Sequence, residues 1–180
     1  ALLWPTGLGQ ITIIAVAGLV GWRLFPGALA VTGPRARIPV GRRVGVCMLT
    51  LFVALLVALP IGRELTGSPS LAVFDSFFRA GSLVFGGGHV VLPLLQSEVV
   101  PPGWVTNEEC VAGYGAAQAV PGPLFTFAAY LGAVRGPRPN GLAGATIALV
   151  AIFLPSFLLI VGTLPFWDTL RARADFQGIL

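Results

Sequence analysis

Long apolar runs dominate the chain, and its polar positions gather at the ends of those runs or at two internal interruptions. The first run, Gly7 to Phe25, is apolar apart from Gln10, Thr12 and the terminal Arg23. Trp4 and Trp22 flank it, where interfacial aromatic belts belong, and Phe25-Pro26-Gly27 stops it. Val44 to Ile61 is the second run and covers about 27 Å as a helix, just enough for a bilayer core. Gly62 to Ser70 reads as a short turn-rich connection. Two further runs are each broken midway: Leu71 to Val100 by Gly86-Gly87-Gly88-His89, with Pro93 just beyond, and Asn107 to Arg135 by Pro121-Gly122-Pro123. Pro101-Pro102-Gly103-Trp104 separates them. Thr106 or Asn107 caps the helix that follows, with Glu108 and Glu109 at its positive end. After a loop from Arg135 to Pro139, Gly141 to Phe166 is the last span, expected to kink at Pro155. Asp168 to Leu180 alternates charged and apolar residues, as an interfacial or loop segment does. The pattern predicts an all-α integral membrane protein, a bundle of transmembrane helices containing two discontinuous (Gly/Pro-broken) or re-entrant helices.

Composition supports the membrane. Of 180 residues 56% are hydrophobic and only 10% charged, against about 25% charged in soluble domains. The net charge is +4, and every basic residue is arginine. Codon usage in a GC-rich genome accounts for that at least as well as selection of guanidinium for oxyanion contact. Arg35, Arg37, Arg42 and Arg43 lie in one acid-free segment, which the positive-inside rule places in the cytoplasm. The charge count alone leaves open on which side Arg135 and Arg138 fall. The arginines are spread over loops without interleaved aromatics, so no nucleic-acid partner is expected. Cys47 and Cys110 lie far apart and form neither a disulfide framework nor a metal site. No basic segment precedes the first apolar run, as a signal peptide would require. The chain starts at Ala1 in mid-pattern and stops at Leu180 inside a mixed segment, so it reads as a piece of a longer protein.

The two breaks are the candidate site. Proline removes a backbone donor and clashes with the preceding turn, and consecutive glycines leave helical dihedrals cheaply. At membrane depth, non-helical backbone is tolerated only where protein buries it or a wet cavity receives it, and a pair of such breaks points to a transporter's binding site. In the first, the N–H groups of Gly86, Gly87 and Gly88 form an anion-binding concavity if they open a half-helix. His89, the single histidine, is either a proton carrier or anion donor, or a cap on freed carbonyls. Asp75, Arg79, Ser82, Gly86, His89, Pro93 and Gln96 follow helical spacing and would share one face. Arg79 either contacts substrate or forms a structural i, i+4 pair with Asp75. In the second, Gln118 needs partners one turn before Pro121-Gly122-Pro123, and the N–H groups of Leu124 and Phe125 are left free. Thr126 and Tyr130 add hydroxyls to the site or bond backward. Gly113 with Ala117 and Gly115 with Ala119 are small-residue pairs, best read as packing.

Enzyme signatures are missing where they would be diagnostic. Without lysine there is no P-loop, one histidine excludes H-E-x-x-H, and no G-x-S-x-G elbow occurs. A lone histidine builds no metal site, and no cofactor is expected. Two competing readings remain: an embedded enzyme acting on phosphate-bearing lipids through His89 and Arg79, and a non-transporting channel or scaffold subunit.

Three motifs in order, Phe85-Gly86-Gly87-Gly88-His89-Val90-Val91-Leu92-Pro93-Leu94-Leu95, Gly103-Trp104-Val105 and Gly113-Tyr114-Gly115-Ala116-Ala117-Gln118-Ala119-Val120-Pro121-Gly122-Pro123-Leu124, resemble the chromate ion transporter (CHR) family. The resemblance covers roughly Ser70 to Leu180. It implies two homologous halves of opposite topology making one transporter, with residues 44–180 as a truncated second half. Residues 1–25 would then be the last helix of the preceding repeat, and 26–43 a basic cytoplasmic linker. It further implies efflux of chromate, or sulfate-like tetrahedral oxyanions, across the bacterial inner membrane, giving chromate resistance by secondary transport. The implied partners are the oxyanion, the lipid bilayer, a coupling proton or counter-anion, and the remainder of the same transporter or a homo-oligomer. Binding roles fall on Gly86, Gly87, Gly88, His89, Gln118, Pro121, Gly122 and Pro123. The first half's own motif pair and the final helices have no counterpart in this sequence.

Overall fold

The computed structural model describes residues 12–13, 16–20, 23, 40–84 and 88–171, with residues 88–90 and 168–171 described as backbone only. The first predicted span therefore falls largely outside the described residues, as do the linker up to residue 39 and Gly86-Gly87. The described pieces of the first span are helical. From there the order is α1 (Arg42–Thr66), α2 (Pro69–Leu83), α3 (Gly88–Val99), α4 (Asn107–Ala119), a 3-10 turn (Leu124–Thr126), α5 (Phe127–Val134) and α6 (Gly141–Arg171). No strand occurs among the described residues.

Two of these helices, α1 and α6, are long and apolar enough to cross a membrane. Only 11% of the most apolar stretch of α1 is buried within the protein, and Val46, Val53, Val57 and Ile61 lie exposed along it. An uninterrupted apolar surface of that kind is suited to lipid.

Several boundaries differ from the sequence reading. Helix α1 runs past Ile61 to Thr66 and contains Pro60, so the expected connection from Gly62 to Ser70 shrinks to two residues. Gly67, at φ +58°, ends the helix: its N–H bonds back to the Arg63 carbonyl at 3.0 Å, as a left-handed C-terminal cap does. Pro69 then starts α2 at a position where its missing N–H removes nothing. Helix α3 already begins at Gly88 and carries Pro93 inside it, so Gly88 and His89 belong to the helix. Helix α6 continues through Pro155 as far as Arg171, and Asp168 to Arg171 are therefore helical. The start of α4 matches its reading. Thr106 is the N-cap, and a reciprocal capping box joins it to Glu109. Hydrogen bonds from the Thr106 N–H and hydroxyl hold the Glu109 carboxylate below its ordinary range. That support is present at neutral pH and is lost as acidification protonates the carboxylate. Thr106→Ala is expected to lower stability by about 1 kcal/mol, read from thermal unfolding in detergent.

The chain divides into two compact units, Ala1–Thr50 with Leu158–Leu180, and Leu51–Phe157. In the first, Gly45 sits against Gly162 and Pro165, and Gly162 against Leu49. In the second, the core is formed by Phe77 and Phe78 of α2, Leu95 of α3, Phe127 and Leu131 of α5 and Ile152 of α6.

Within that second unit the short helices fold back in pairs. Arg79 of α2 contacts Glu98 of α3 at 3.6 Å. Along one continuous helix they would stand roughly 28 Å apart, so the chain turns back between them. The Tyr130 hydroxyl of α5 donates to the Glu109 carbonyl of α4 at 3.3 Å, and Tyr114 meets Phe127 edge-on at 5.8 Å. The open ends of the second pair are tied by the Gly136 N–H to the Trp104 carbonyl at 2.9 Å. Arg135, 3% exposed, lies over the Trp104 ring at 4.4 Å and donates to the Pro139 carbonyl.

Candidate functional site

Each break is built by ordinary backbone chemistry. Helix α2 ends where Val84 turns extended (φ −80°, ψ 97°), and α3 restarts at Gly88. Helix α4 ends where Val120 turns extended (φ −88°, ψ 125°). Pro121, Gly122 and Pro123 follow, all exposed, with Gly122 at φ +156°. Pro123 caps the 3-10 turn, and Thr126 bonds back to the Pro123 carbonyl through both its N–H (3.1 Å) and its hydroxyl (3.0 Å). The opening turn of a helix leaves its first N–H groups without intrahelical partners; here they belong to Leu124 and Phe125.

Helix α6 relates the two breaks. Gly81, one turn before the first, lies so close to α6 that an added Cβ would sit 2.1 Å from the Ile152 carbonyl oxygen. Phe125, just past the second, packs on Phe153 at 5.6 Å. Both breaks therefore stand at the level of Ile152–Phe153, near the midpoint of the apolar stretch Gly141–Trp167. The opposite ends gather too: Pro69 and Ser70 line a cavity of about 440 Å³ together with Arg138, Pro139, Asn140 and Ala143.

The predicted residues separate into three groups. Gln118, Pro121, Gly122 and Pro123 stand exposed at the second break. At the first, Gly86 and Gly87 lie outside the described residues, while Gly88 and His89 form the first turn of α3. Arg79 points elsewhere. Its Nη2 contacts the Asp75 Oδ2 at 3.0 Å and Glu98 at 3.6 Å, and the same Asp75 oxygen lies 3.5 Å from the Arg63 Nη1. The predicted i, i+4 pair is thus part of a four-residue network, and Asp75 is 1% exposed. Sequence reasoning missed Arg63 and Glu98, whose only signal was a charge near the end of an apolar helix. The single polar face across the first break does not form, because the chain leaves helical phase at Val84. Ser82 bonds its own helix at Phe78, and Gln96 bonds Asn107. Tyr130 is spent on packing and on Glu109. Of the small-residue pairs, Gly113 meets the Tyr130 ring, while Gly115 faces open space. Among the described residues no cluster of metal-ligating side chains occurs.

The chromate transporter family profile matches residues 71–180. The chain belongs to the chromate transporter family. It is 35% identical over 105 residues to a chromate transport protein of Pseudomonas aeruginosa, an alignment covering 58% of this chain and 24% of that protein. It is 35% identical over 112 residues to an uncharacterized transporter of Bacillus subtilis, covering 61% of each. An uncharacterized transporter of Methanocaldococcus jannaschii aligns with all of this chain at 24% identity, across 44% of its own length. The chain therefore spans between a quarter and three fifths of these relatives. No solved structure matches it. Family membership and the two apolar helices together make this chromate transporter family member a membrane protein.

Proposed function

We propose that the chain forms part of a secondary transporter that moves chromate, or a sulfate-like tetrahedral oxyanion, out of the cytoplasm across the bacterial inner membrane and so confers chromate resistance. The observation that carries this reading is the common level of the two breaks on α6. Ile152 lies roughly 17 Å along that helix from its start, about half of a 30 Å bilayer core. Helices α2 and α3 are roughly 22 and 18 Å long, too short to cross it. With α1 and α6 spanning, both short pairs enter from the same face and return, bringing their tips to mid-membrane as re-entrant elements. The start of α3 and the 3-10 turn before α5 then direct unpaired N–H groups at one another's neighbourhood, a setting that favours an anion.

Arg42 and Arg43 at the start of α1 fall on the same face as Arg171 at the end of α6, the cytoplasmic one by the positive-inside rule. Residues 44–180 serve as the second half of the transporter, and a proton or counter-anion drives the exchange.

Uptake of radiolabelled chromate and sulfate into everted vesicles, with and without a pH gradient, tests the reading. The complete protein carrying this chain is expected to drive uptake. Gly87→Leu and Gly122→Leu should each abolish it while leaving membrane insertion intact. Wild-type flux in both variants refutes the assignment.

A further inference from the structure

The ion network away from the breaks is incompletely used. Both guanidinium groups converge on one oxygen of Asp75, while its Oδ1 is buried with no hydrogen-bond partner. Arg79 makes its two ionic contacts through Nη2 alone, and its Nε is also buried without a partner. That leaves the Nε–Nη2 edge of the fork, the edge that recognises carboxylate and oxyanion side-on, only half engaged. Glu98 faces this edge at 3.6 Å, beyond hydrogen-bond distance, with its side chain 27% exposed. A partly hydrated carboxylate at that separation is weakly held. The arginine side chains are 34% and 38% exposed, so a solute reaches the open part of each fork, while the Arg79 Nε lies beneath it.

From this geometry we infer that Arg63 and Arg79, oriented by Asp75, form a second oxyanion seat where the ends of α1 and α3 meet the middle of α2, and that Glu98 is its resident occupant, displaced when a tetrahedral oxyanion binds. The inference rests on the transport reading and places a station for the solute between the tips and the outer face. Two guanidinium groups that already share one carboxylate oxygen can share one small oxyanion. With Glu98 in place the four side chains carry no net charge; once Glu98 turns to water, Arg63, Arg79 and Asp75 leave one net positive charge for the solute. Asp75 is a positioning residue: it stays buried and keeps both forks aimed at the seat. Among the described residues, Arg79–Glu98 is the one ion pair joining α2 to α3. Displacing Glu98 therefore removes that one ionic link between α2 and α3 each time the seat fills, while the apolar packing of Phe77, Phe78 and Leu95 stays in place.

The test is calorimetric titration of the purified complete protein with sodium sulfate and sodium chromate in chloride-free buffer. Glu98→Gln removes the competing anion and should tighten both oxyanions about three- to ten-fold. Arg79→Lys keeps the charge but loses the fork, and should weaken them ten-fold or more; Arg63→Gln should weaken them less. A purely structural network predicts the opposite pattern for Glu98, with affinity unchanged or reduced and the melting temperature lowered. Unchanged or weaker binding by a folded Glu98→Gln protein overturns the seat, as does unchanged binding by Arg79→Lys. The vesicle assay is a separate readout. Wild-type flux without the Glu98→Gln gain removes this inference alone, and the binding pattern without flux removes the transport assignment alone.

Discussion

Gly132→Val is expected to abolish the folded protein in detergent extracts, lowering stability by about 3 kcal/mol or more. A Cβ at Gly132 would stand 2.3 Å from the Gly144 carbonyl oxygen and 2.8 Å from the Ala148 Cβ. A Cβ at Gly144 would stand 2.0 Å from the Gly132 carbonyl oxygen and 2.8 Å from that of Pro139. The first obstacle in each case is main chain, which cannot escape by changing rotamer, so the overpacking falls at the upper end of the usual 1–3 kcal/mol or above it. Helix α5 has only eight residues and depends on this contact to hold the second break against α6. Fluorescence-detected gel filtration and a thermal ramp would report the loss. Gly115→Ala is the matched control. Nothing lies within 4 Å of its added Cβ, and helix propensity predicts a gain of up to about 1 kcal/mol. A Gly132→Val protein that elutes and melts like the parent would show that α5 and α6 do not approach at this point.

The close approach of Gly132 and Gly144 also marks where reading the sequence stopped. Long apolar runs announced α1 and α6, and Thr106 with Glu109 announced the start of α4, because burial periodicity and capping are local properties. The interruptions were equally visible, since Gly and Pro act on their own residue and the preceding turn. Which glycines touch another backbone is a tertiary fact. Gly81, Gly132 and Gly144 do, while Gly115, in an equally suggestive spacing, does not. The sequence pattern ends α1 and α6 early because Gly62 with Arg63, and Asp168, mark where the apolar run stops, whereas a helix continues as long as its backbone bonds do. The supposed seven-residue polar face failed for a related reason: helical phase carries no information across an extended Val84. Arg63 and Glu98 were invisible as partners of Asp75 and Arg79, since no spacing rule connects residues on three different helices.

Asp75→Ala should destabilise the protein by about 2 kcal/mol, the largest effect expected outside the glycine contacts. Breaking a fully buried ion pair by removing one partner leaves an uncompensated charge at about 3–5 kcal/mol. Here the stranded groups are Arg63 and Arg79, each about a third exposed, so water recovers part of that loss. Their guanidinium groups, both within 3.5 Å of the vanished oxygen, then face each other without an anion between them, and like-charge repulsion adds to the lost attraction. Asp75→Asn keeps the shape and one acceptor, and should fall about midway. Glu98→Ala removes only a part-exposed contact and should change stability by less than about 0.5 kcal/mol. Because Asp75 and Arg63 share one network, the double variant Asp75→Ala/Arg63→Ala should lose less than the two single losses together. The Asp75 contribution should also survive 0.5 M salt, since a buried oxygen is poorly screened. An additive double variant, or an Asp75→Ala penalty erased by salt, would place this carboxylate at a hydrated surface instead of beneath the two arginines.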